Sequence, residues 1–368
     1  MTQPNNHSRT VRVADRPDDY RRLGIDPVAV RPFEDGQRTE PARGIYEWWY
    51  FDAHLDDGAK LVVVFYTKPL MAPDAVLAPM ITINLDLPDG RNLSKTLHAA
   101  PDTFAASREG CDVRIGANRF SGDLHTYRIT ASIEEVSVEI EMVGEIRSWR
   151  PKSGHIYFGP EDGEHLFAWL PSVPQGRVTA TYRVGPQEQR TTGIGYHDHN
   201  WGDVPMPKLM HDWYWGRAKV GPYTVIASYI TAEQAYGFEP LTIFLLARDG
   251  QIIADDAAKV TFSTDRVATD AVTGKPVADV TCYDYRDGDE RIVVTFRRER
   301  TIVRHRFTDA LPWWKRLAAR LAGIAPAYLR FTGQVTLQRF VGAEAVDTIE
   351  DEALWELMYF GRPRQPAV

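Results

Sequence analysis

The sequence predicts an all-β protein made of two β-barrel or sandwich modules, with one or two short helices near the C-terminus. Three observations support this prediction. Short runs with strand-like patterns follow one another from residue 44 onward, and turn residues separate them. Strands and helices do not alternate, as they would in a nucleotide-binding α/β fold. The chain has 368 residues, which is enough for about two domains.

The first 43 residues are polar, rich in Arg, Asp and Pro, and show no sustained period. We therefore expect an extended and partly disordered lead-in over 1–43, without the apolar core of a secretory signal. A first β module is expected over 44–176 and a second over 177–368. The segment 171–176 (PSVPQG) is the predicted boundary between them, because it concentrates turn-forming residues.

The predicted strands are short, and turn residues follow several of them. Asp57-Gly58, Asp89-Gly90 and Asp249-Gly250 are dipeptides typical of hairpin turns. Many short strands at this spacing are typical of a sandwich or barrel. The runs are 46–55, 60–67, 80–87, 127–131, 136–143, 165–170, 178–184, 213–220, 223–231, 241–247, 259–262, 277–285, 291–296, 301–307 and 333–339.

Two helices are expected in the C-terminal part, over 312–324 and 351–360. The apolar positions of the first are Trp314, Leu317, Leu321 and Ile324. The second is shorter, with Trp355 and Met358 three residues apart. Both helices can pack an apolar stripe against a barrel, or the basic 312–324 helix can contact a membrane surface. No run of about 18 apolar residues exists, so we expect a cytoplasmic protein, membrane-peripheral in the second interpretation.

Composition excludes several classes of function. The net charge of −7 argues against nucleic acid as a partner, because a surface that follows phosphates needs clustered Lys and Arg. Phosphate-binding glycine motifs are absent, and so is the G-x-S-x-G motif of serine hydrolases. The two cysteines, Cys111 and Cys282, are too few for a disulfide scaffold or a Cys-based zinc site.

The densest set of polar and aromatic residues lies in 193–219, which holds three of the ten histidines and three of the ten tryptophans. On a strand, side chains alternate between two faces. One face then carries His197, His199 and Trp201, and the other carries Tyr196, Asp198 and Asn200. Asp198 and His199 therefore cannot point into one cavity unless a bulge intervenes. The next strand places Trp213 and Trp215 on one face and Tyr214 on the other.

The segment has three interpretations. His197-x-His199 is a metal-binding pattern on a strand, and His211 or Asp198 could add a ligand. No other His, Cys or Glu cluster supports this, so we expect no metal. A buried polar cluster can also be a structural network that ties a barrel together. The cost of burying so many polar groups favours a functional site, in which an imidazole acts as acid, base or donor.

A second constellation is Glu47-Trp48-Trp49-Tyr50. On a strand, Glu47 and Trp49 face one way, and Trp48 and Tyr50 face the other. A carboxyl group shielded by an indole ring is favoured in its protonated form, which makes Glu47 a candidate acid. The alternative is a core strand whose Glu pairs with an Arg. The sequence leaves both open.

Glu47-Trp48-Trp49-Tyr50, the run 195–202 (GYHDHNWG) and Trp213-Tyr214-Trp215, in this order, resemble the carotenoid hydratase (hydroxyneurosporene synthase) family. They are similar to the wider lipocalin-like group that includes fungal Diels–Alderases. The resemblance covers most of the chain from about Gly44. It implies two lipocalin-like β modules with a ligand cavity at or near their interface, and no organic cofactor. It also implies roles for His199 with Trp201, and for Tyr229 with an acid at position 231, where this chain has Thr231.

The residues and the resemblance together predict a cofactor-independent enzyme that acts on a hydrophobic polyene or isoprenoid by acid-catalysed hydration or cyclisation. One alternative is a Diels–Alderase-type pericyclase on a polyketide-derived polyene, and another is a non-catalytic carrier of a lipid or pigment. The expected partner is thus a hydrophobic small molecule. The predicted catalytic residues are His199, Asp198, Glu47 and Tyr196. The predicted substrate-binding residues are Trp201, Trp215, Trp213, Trp49, Tyr229 and His197.

Overall fold

The computed structural model describes residues 11–69, 74–310, 313 and 326–364. The chain divides into two compact units, which we call the N-terminal unit (Arg12–Met206) and the C-terminal unit (Met1–Val11 with Pro207–Val368). Strands dominate both units, so the predicted all-β class is confirmed.

The N-terminal unit is one large curled sheet. Its strand order is β5-β4-β3-β2-β13-β12-β10-β9-β8-β7-β6, and β11 pairs with both β12 and the short β1. Neighbours along this order are antiparallel. The strands are β1 Val11–Val13, β2 Tyr46–Leu55, β3 Lys60–Tyr66, β4 Met80–Asp86, β5 Asn92–His98, β6 Phe104–Ala106, β7 Asp112–Ile115, β8 Asn118–Gly122, β9 Thr126–Ile133, β10 Val136–Gly144, β11 His155–Phe158, β12 His165–Val184 and β13 Gln187–Gly202. The helical elements are α1 Pro17–Leu23 and 3₁₀ turns at Pro32–Asp35 and Pro101–Thr103.

The C-terminal unit is a second antiparallel sheet, with the order β17-β16-β15-β14-β22-β21-β20-β19-β18. Its strands are β14 Met210–Val220, β15 Tyr223–Ala232, β16 Pro240–Arg248, β17 Gln251–Ala254, β18 Val260–Thr269, β19 Pro276–Asp287, β20 Glu290–Arg306, β21 Ala327–Val341 and β22 Glu344–Tyr359. The 3₁₀ turns are Met206–Lys208, Gln234–Tyr236, Ala257–Lys259 and Phe307–Ala310.

Each unit has its own aromatic-rich core, built from the side chains that alternate onto one face of its sheet. In β9 every second residue is buried, as the predicted period of two requires. The largest buried side chains of the N-terminal core include Trp49, Phe51, Phe65 and Phe120. The C-terminal core is filled mainly by Tyr214, Phe244, Phe296, Phe331 and Trp355.

The predicted helix over 351–360 is wrong, because this segment is the end of strand β22. Its residues are good helix formers, but the strand pairs with β14 on one side and β21 on the other. That pairing turns Trp355 and Leu357 into the core at alternate positions, and tertiary packing overrides local propensity. The other predicted helix, 312–324, lies outside the described residues except for Trp313. No helix in the described ranges is long and apolar enough to cross a membrane.

The segment 171–176 does not interrupt the sheet, although we expected a domain boundary there. Strand β12 runs through it and pairs with β13 in the order Leu170 to His199, Val173 to His197 and Gly176 to Gly195. Two residues of β12 therefore oppose the single residue Asp198, and two more oppose Tyr196. These are β-bulges, which tolerate the prolines at 171 and 174 because the extra residue has no ladder partner. The compact units divide later, after Met206.

The lead-in also differs from expectation, because residues 12–43 pack on the N-terminal unit. Arg150 forms a buried ion pair with Glu34, with 3.1 Å between Nε and Oε2. The buried Lys68 donates from Nζ to the Ala42 carbonyl at 2.6 Å. These contacts bring the 3₁₀ turn at Pro32–Asp35 next to the strands that carry the predicted site residues.

Candidate functional site

Strand β13 places its polar residues on two faces, as the alternation predicts. In the pairing with β2, His199 lies opposite Trp49, and Trp201 lies opposite Glu47. We call this side the core face, since Trp49 belongs to the buried core. On the other side Asp198 lies opposite Tyr50, and we call this the Asp198 face.

Glu47 and His199 form a fully buried pair on the core face. His199 Nε2 lies 2.8 Å from Glu47 Oε1, and both side chains have 0% exposure. Glu47 also accepts from the backbone N–H groups of Arg38, at 2.6 Å, and Thr39, at 3.0 Å. The Glu47 carboxylate thus accepts hydrogen bonds from the lead-in and pairs with a histidine of β13. Among the described residues, the ion-pair partner of Glu47 is His199 and not the Arg side chain that the alternative interpretation required.

Asp35 and His197 form a second pair on the core face. His197 Nδ1 lies 2.8 Å from the Tyr50 carbonyl oxygen, which can only accept, so Nδ1 donates. Its Nε2 lies 3.2 Å from Asp35 Oδ2, and the Tyr127 hydroxyl donates to the same oxygen. Burial alone raises the pKa of Asp35, but the neighbouring His197 and His199 and the Tyr127 hydroxyl bring it below its usual value.

One buried group in the described part of the chain has the spacing of a metal site. Ligand atoms of Asp35, Cys111 and His197 lie within 4.8 Å of one another. Burial raises the pKa of the Cys111 thiol well above its usual value, and the Asp35 carboxylate raises it further. Asp35 is already engaged by Tyr127 and His197. The donor chemistry therefore fits a hydrogen-bond network better than a cation.

Aromatic rings seal the rest of the core face. The His199 ring stacks on Trp49 at 4.6 Å between centroids and lies 4.7 Å from Trp201. Trp201 in turn meets the edge of His155 at 5.4 Å. Burial lowers the pKa of His155 to about 4, so this ring is neutral near pH 7. In this arrangement no core-face imidazole is exposed to a ligand.

The Asp198 face carries a carboxyl group with three hydrogen-bond donors. Oδ2 of Asp198 accepts from Trp169 Nε1 at 2.8 Å and from the Tyr196 hydroxyl at 2.7 Å. Oδ1 accepts from Asn200 Nδ2 at 2.6 Å. We call these four residues the Asp198 cluster. Burial raises the pKa of Asp198 to about 6, although hydrogen bonds from Tyr196 and Trp169 oppose the rise.

Aromatic side chains of β2 lie on the same face as the Asp198 cluster. Trp48 and Tyr50 are half-buried, and Asp198 itself is 7% exposed. The Tyr50 ring meets the edge of Tyr196 at 6.2 Å, and Trp48 stacks on Tyr46 at 5.4 Å. This surface combines an acid that titrates near neutral pH with rings that attract a cation.

The remaining predicted site residues lie in the C-terminal unit. Trp213 and Trp215 are half-buried on one face of β14, and Trp213 packs against Phe360 at 5.4 Å. Tyr229 stacks on Phe262 at 4.0 Å. The structure thus groups Glu47, Trp49, Tyr196, His197, Asp198, His199 and Trp201 in the N-terminal unit, and the other three in the C-terminal unit.

Two residues of these clusters, Asp35 and Trp169, were not predicted as site residues from the sequence. Asp35 comes from a segment without periodicity, and no sequence signal links it to His197. Trp169 lies in the predicted strand 165–170, so its existence on a strand was foreseeable. Its position opposite Asn200 follows only from the order of strands in the sheet.

Comparisons with known proteins show a matching family and several distant relatives. A family described as Diels-Alderase-like matches residues 42–309. The chain is 25% identical over 201 residues to the quinolone epoxide rearrangement protein asqO of Emericella nidulans, covering 49% of this chain and 53% of that protein. It is 26% identical over 255 residues to the hydroxyneurosporene dehydrogenase of Chlorobaculum tepidum, covering 60% and 66%. A Diels-Alderase of Gibberella fujikuroi is 22% identical over 303 residues, covering 74% and 79%.

The chain thus spans about half to two thirds of the length of the first two of these relatives.

Solved structures share the fold. The crystal structure of CghA has a TM-score of 0.60 at 15% identity, covering 92% of this chain and 98% of CghA. Kievitone hydratase from Nectria haematococca has a TM-score of 0.54 at 11% identity, covering 90% and 94%.

Proposed function

The chain belongs to the Diels-Alderase-like family, and we propose that it is an enzyme that protonates an alkene of a hydrophobic polyene or isoprenoid without an organic cofactor. The cation that results is captured by water or by an internal alkene, which gives hydration or cyclisation. The observation that carries this proposal is Asp198, a carboxyl group with a pKa raised to about 6 beside aromatic side chains.

Asp198 suits the role of acid better than the other candidates. An acid must be protonated when the substrate binds, and it must reach the reacting carbon. Asp198 is 7% exposed, whereas Glu47 and His199 have 0% exposure. We therefore assign Asp198 as the acid and Tyr196, which donates to it, as the group that orients it.

In the proposed step, the O–H bond of Asp198 breaks and its proton forms a C–H bond with one alkene carbon. The electron pair of the double bond makes the new bond, so the other alkene carbon becomes cationic. Trp48 and Tyr50 hold that cation against their faces, which is worth about 2 kcal/mol when water is excluded. Water then adds to the cation and loses a proton to the Asp198 carboxylate. In cyclisation, an internal alkene attacks and a later deprotonation restores the acid.

In this proposal, the buried pairs on the core face hold strand β13 in position. The pairs Glu47–His199 and Asp35–His197 hold β13 against β2 and the lead-in, which fixes the direction of the Asp198 side chain. Trp49 and Trp201 enclose the His199 ring. Trp213, Trp215 and Tyr229 of the C-terminal unit remain proposed substrate contacts, because their aromatic area is suited to a polyene.

A pericyclic ring closure of a polyketide-derived polyene is the second candidate. The Asn200 amide donates one N–H to Asp198 and carries a second N–H, and such a donor can polarise a substrate carbonyl. Orientation within a cavity can supply several kcal/mol of the barrier. The similarity to a Diels-Alderase, which covers 79% of that relative, favours this candidate as well.

Turnover in heavy water separates the candidates. An acyclic carotenoid in detergent micelles and a linear polyene with a terminal carbonyl would each be incubated with the enzyme in D₂O, and the products analysed by mass spectrometry after back-exchange in H₂O. Alkene protonation places one deuterium on carbon. Asp198→Asn should lower the rate by about 100-fold or more, because it removes the acid. Asp102→Asn, which changes an exposed carboxyl group, should leave it unchanged.

A ring-closed product without carbon-bound deuterium would replace the first proposal with the second. Tight binding of both polyenes without any turnover would instead support the carrier interpretation and overturn both enzymatic proposals.

A further inference from the structure

The two oxygens of Asp198 have different neighbours. Oδ2 is contacted by two donors, the Trp169 indole N–H at 2.8 Å and the Tyr196 hydroxyl at 2.7 Å. Oδ1 is contacted by one donor, the Asn200 amide at 2.6 Å. A carboxylate oxygen has two lone pairs, so Oδ2 is saturated and Oδ1 keeps one lone pair for another partner.

The chemical nature of the donors decides where a proton can sit. An indole N–H can only donate, so Trp169 cannot accept a hydrogen bond from a protonated Oδ2. The Asn200 amide can rotate and present its oxygen to a protonated Oδ1. A hydroxyl group can donate or accept, so Tyr196 fits either state. Of the three partners, Trp169 alone forces the proton of Asp198 toward Oδ1.

Building on the function proposed above, we propose that Trp169 is a positioning residue that holds Oδ2 of Asp198 and leaves Oδ1 as the oxygen that delivers the proton to the substrate. Trp169 does not touch the reacting atoms in this assignment. It acts through the geometry and the charge of the carboxyl group.

The surroundings of Trp169 fix the direction of its N–H. The residue is 4% exposed, and its backbone N–H donates to the Gly154 carbonyl at 2.9 Å. Gly154 has φ +78°, and a Cβ there would lie 2.9 Å from the Trp169 carbonyl oxygen, so only glycine allows this approach. The Trp149 ring meets Trp169 edge to face at 6.5 Å. The indole is thus clamped on its backbone and on its ring.

Few titratable groups surround this carboxyl. Tyr196 donates to it, and His197 attracts its charge from the opposite face of β13. From β2, Tyr50 lies opposite Asp198 and donates to Asp52 at 3.1 Å. Ionisation of these groups can also change the titration midpoint of Asp198. Each variant is therefore compared with the parent protein over the same pH range.

The test is Trp169→Phe, which keeps an aromatic ring and removes the N–H. Loss of one donor to the carboxylate should raise the titration midpoint of Asp198 by about one pH unit. The fall of the rate at high pH should move upward by the same amount. kcat should drop at least about twofold with KM unchanged, because the proton then divides between both oxygens and only Oδ1 delivers it. Trp355→Phe, which makes the same change to a buried indole in the C-terminal core, is the control and should leave the midpoint in place.

The midpoint is measured by ¹³C NMR of aspartate-labelled protein, in which Asp198→Asn identifies the signal by its loss. An inactive Asp198→Asn together with a Trp169→Phe that keeps the parental midpoint and kcat would overturn the positioning role alone. A fully active Asp198→Asn would overturn the proposed function itself.

If Trp169→Phe does not fold, the ¹⁵N indole resonances of the parent test the positioning role instead. One of them should titrate with Asp198 and stop doing so in Asp198→Asn, and the absence of such a resonance would overturn the positioning role.

Discussion

Thr231 donates a hydrogen bond from Oγ1 to Oδ1 of Asp212, with 3.2 Å between the oxygens, across the β14–β15 pair. The other oxygen of Asp212 lies 2.5 Å from Nδ1 of His211, whose Nε2 donates to the Arg362 carbonyl at 2.8 Å. The resemblance to hydratases implies an acid at position 231. In this chain the carboxyl group lies directly opposite, on the neighbouring strand, and the threonine serves it as a donor.

Thr231→Asp should destabilise the protein near neutral pH, because it sets two carboxylates opposite each other on one face. We expect a loss of about 1–2 kcal/mol in the free energy of unfolding at pH 7.5, measured with urea. One member of the pair has its pKa raised in the folded state, so the loss should shrink as the pH falls toward 5. Thr231→Asn, which adds no charge, is the control. A loss of equal size at both pH values would contradict the electrostatic explanation.

His199→Ala should reduce stability as well as any activity. The substitution leaves Glu47 buried without its histidine partner and removes a ring that stacks on Trp49 and contacts Trp201. Breaking a buried pair in this way costs about 3–5 kcal/mol, which should lower the urea midpoint strongly. His98→Ala, at an exposed position in β5, should stay within about 0.5 kcal/mol of the parent. A variant as stable as the parent would show that the pair does not hold β13.

Asp198→Asn should stabilise the fold at neutral pH. The pKa of Asp198 is raised from 3.8 to about 6 in the folded state, so ionisation costs the native protein stability as the pH rises between these values. The amide has no such cost. The advantage of the variant should therefore grow between pH 4 and pH 6, reach about 2–3 kcal/mol, and stay constant above. Denaturation at several pH values measures this. An advantage independent of pH would argue that Asp198 titrates normally.

Chelation should leave the protein unchanged. The Cys111 thiol is kept protonated by burial, and Asp35 is engaged by Tyr127 and His197, so a tight site for zinc is not expected. Protein purified without a metal-affinity step should contain far less than one zinc per chain by elemental analysis. Its melting temperature should not move after dialysis against a strong chelator. One zinc per chain, with a lower melting temperature after its removal, would reverse this expectation.

Period-two patterning predicted strands such as β9 and β10 well, because their residues alternate between buried and less buried positions. The run 46–55 matches β2, and 136–143 falls within β10. The same alternation placed His199 and Asp198 on opposite faces. The helix expected over 351–360 failed because its ladder partners, β14 and β21, are distant in sequence. Local propensity contains no information about them.

The site was predicted only in part, for a similar reason. The residues of β13 and β2 were identified because each forms a dense cluster within a few positions. Their contacts with Asp35 and Trp169 depend on long-range packing. The segment 171–176 shows how one composition serves two purposes, since its prolines suit a linker and also suit the bulges opposite Tyr196 and Asp198.

The contacts of Asp35 also impose an order of events during synthesis on the ribosome. The aspartate emerges early, but its partners Tyr127 and His197 are 92 and 162 residues further along the chain. Until Tyr127 and His197 have been synthesised, the Asp35 carboxylate lacks these two hydrogen-bond partners. The rings that will contact His197 stay exposed during the same interval. The Asp35 carboxylate therefore gains its partners only after β9 and β13 have joined the sheet, whereas Arg38, Thr39 and Ala42 can contact Glu47 and Lys68 earlier. A nascent chain paused before residue 197 would expose an incomplete sheet whose apolar side chains are not yet covered. A chaperone that shields apolar surface would therefore be needed most during this interval.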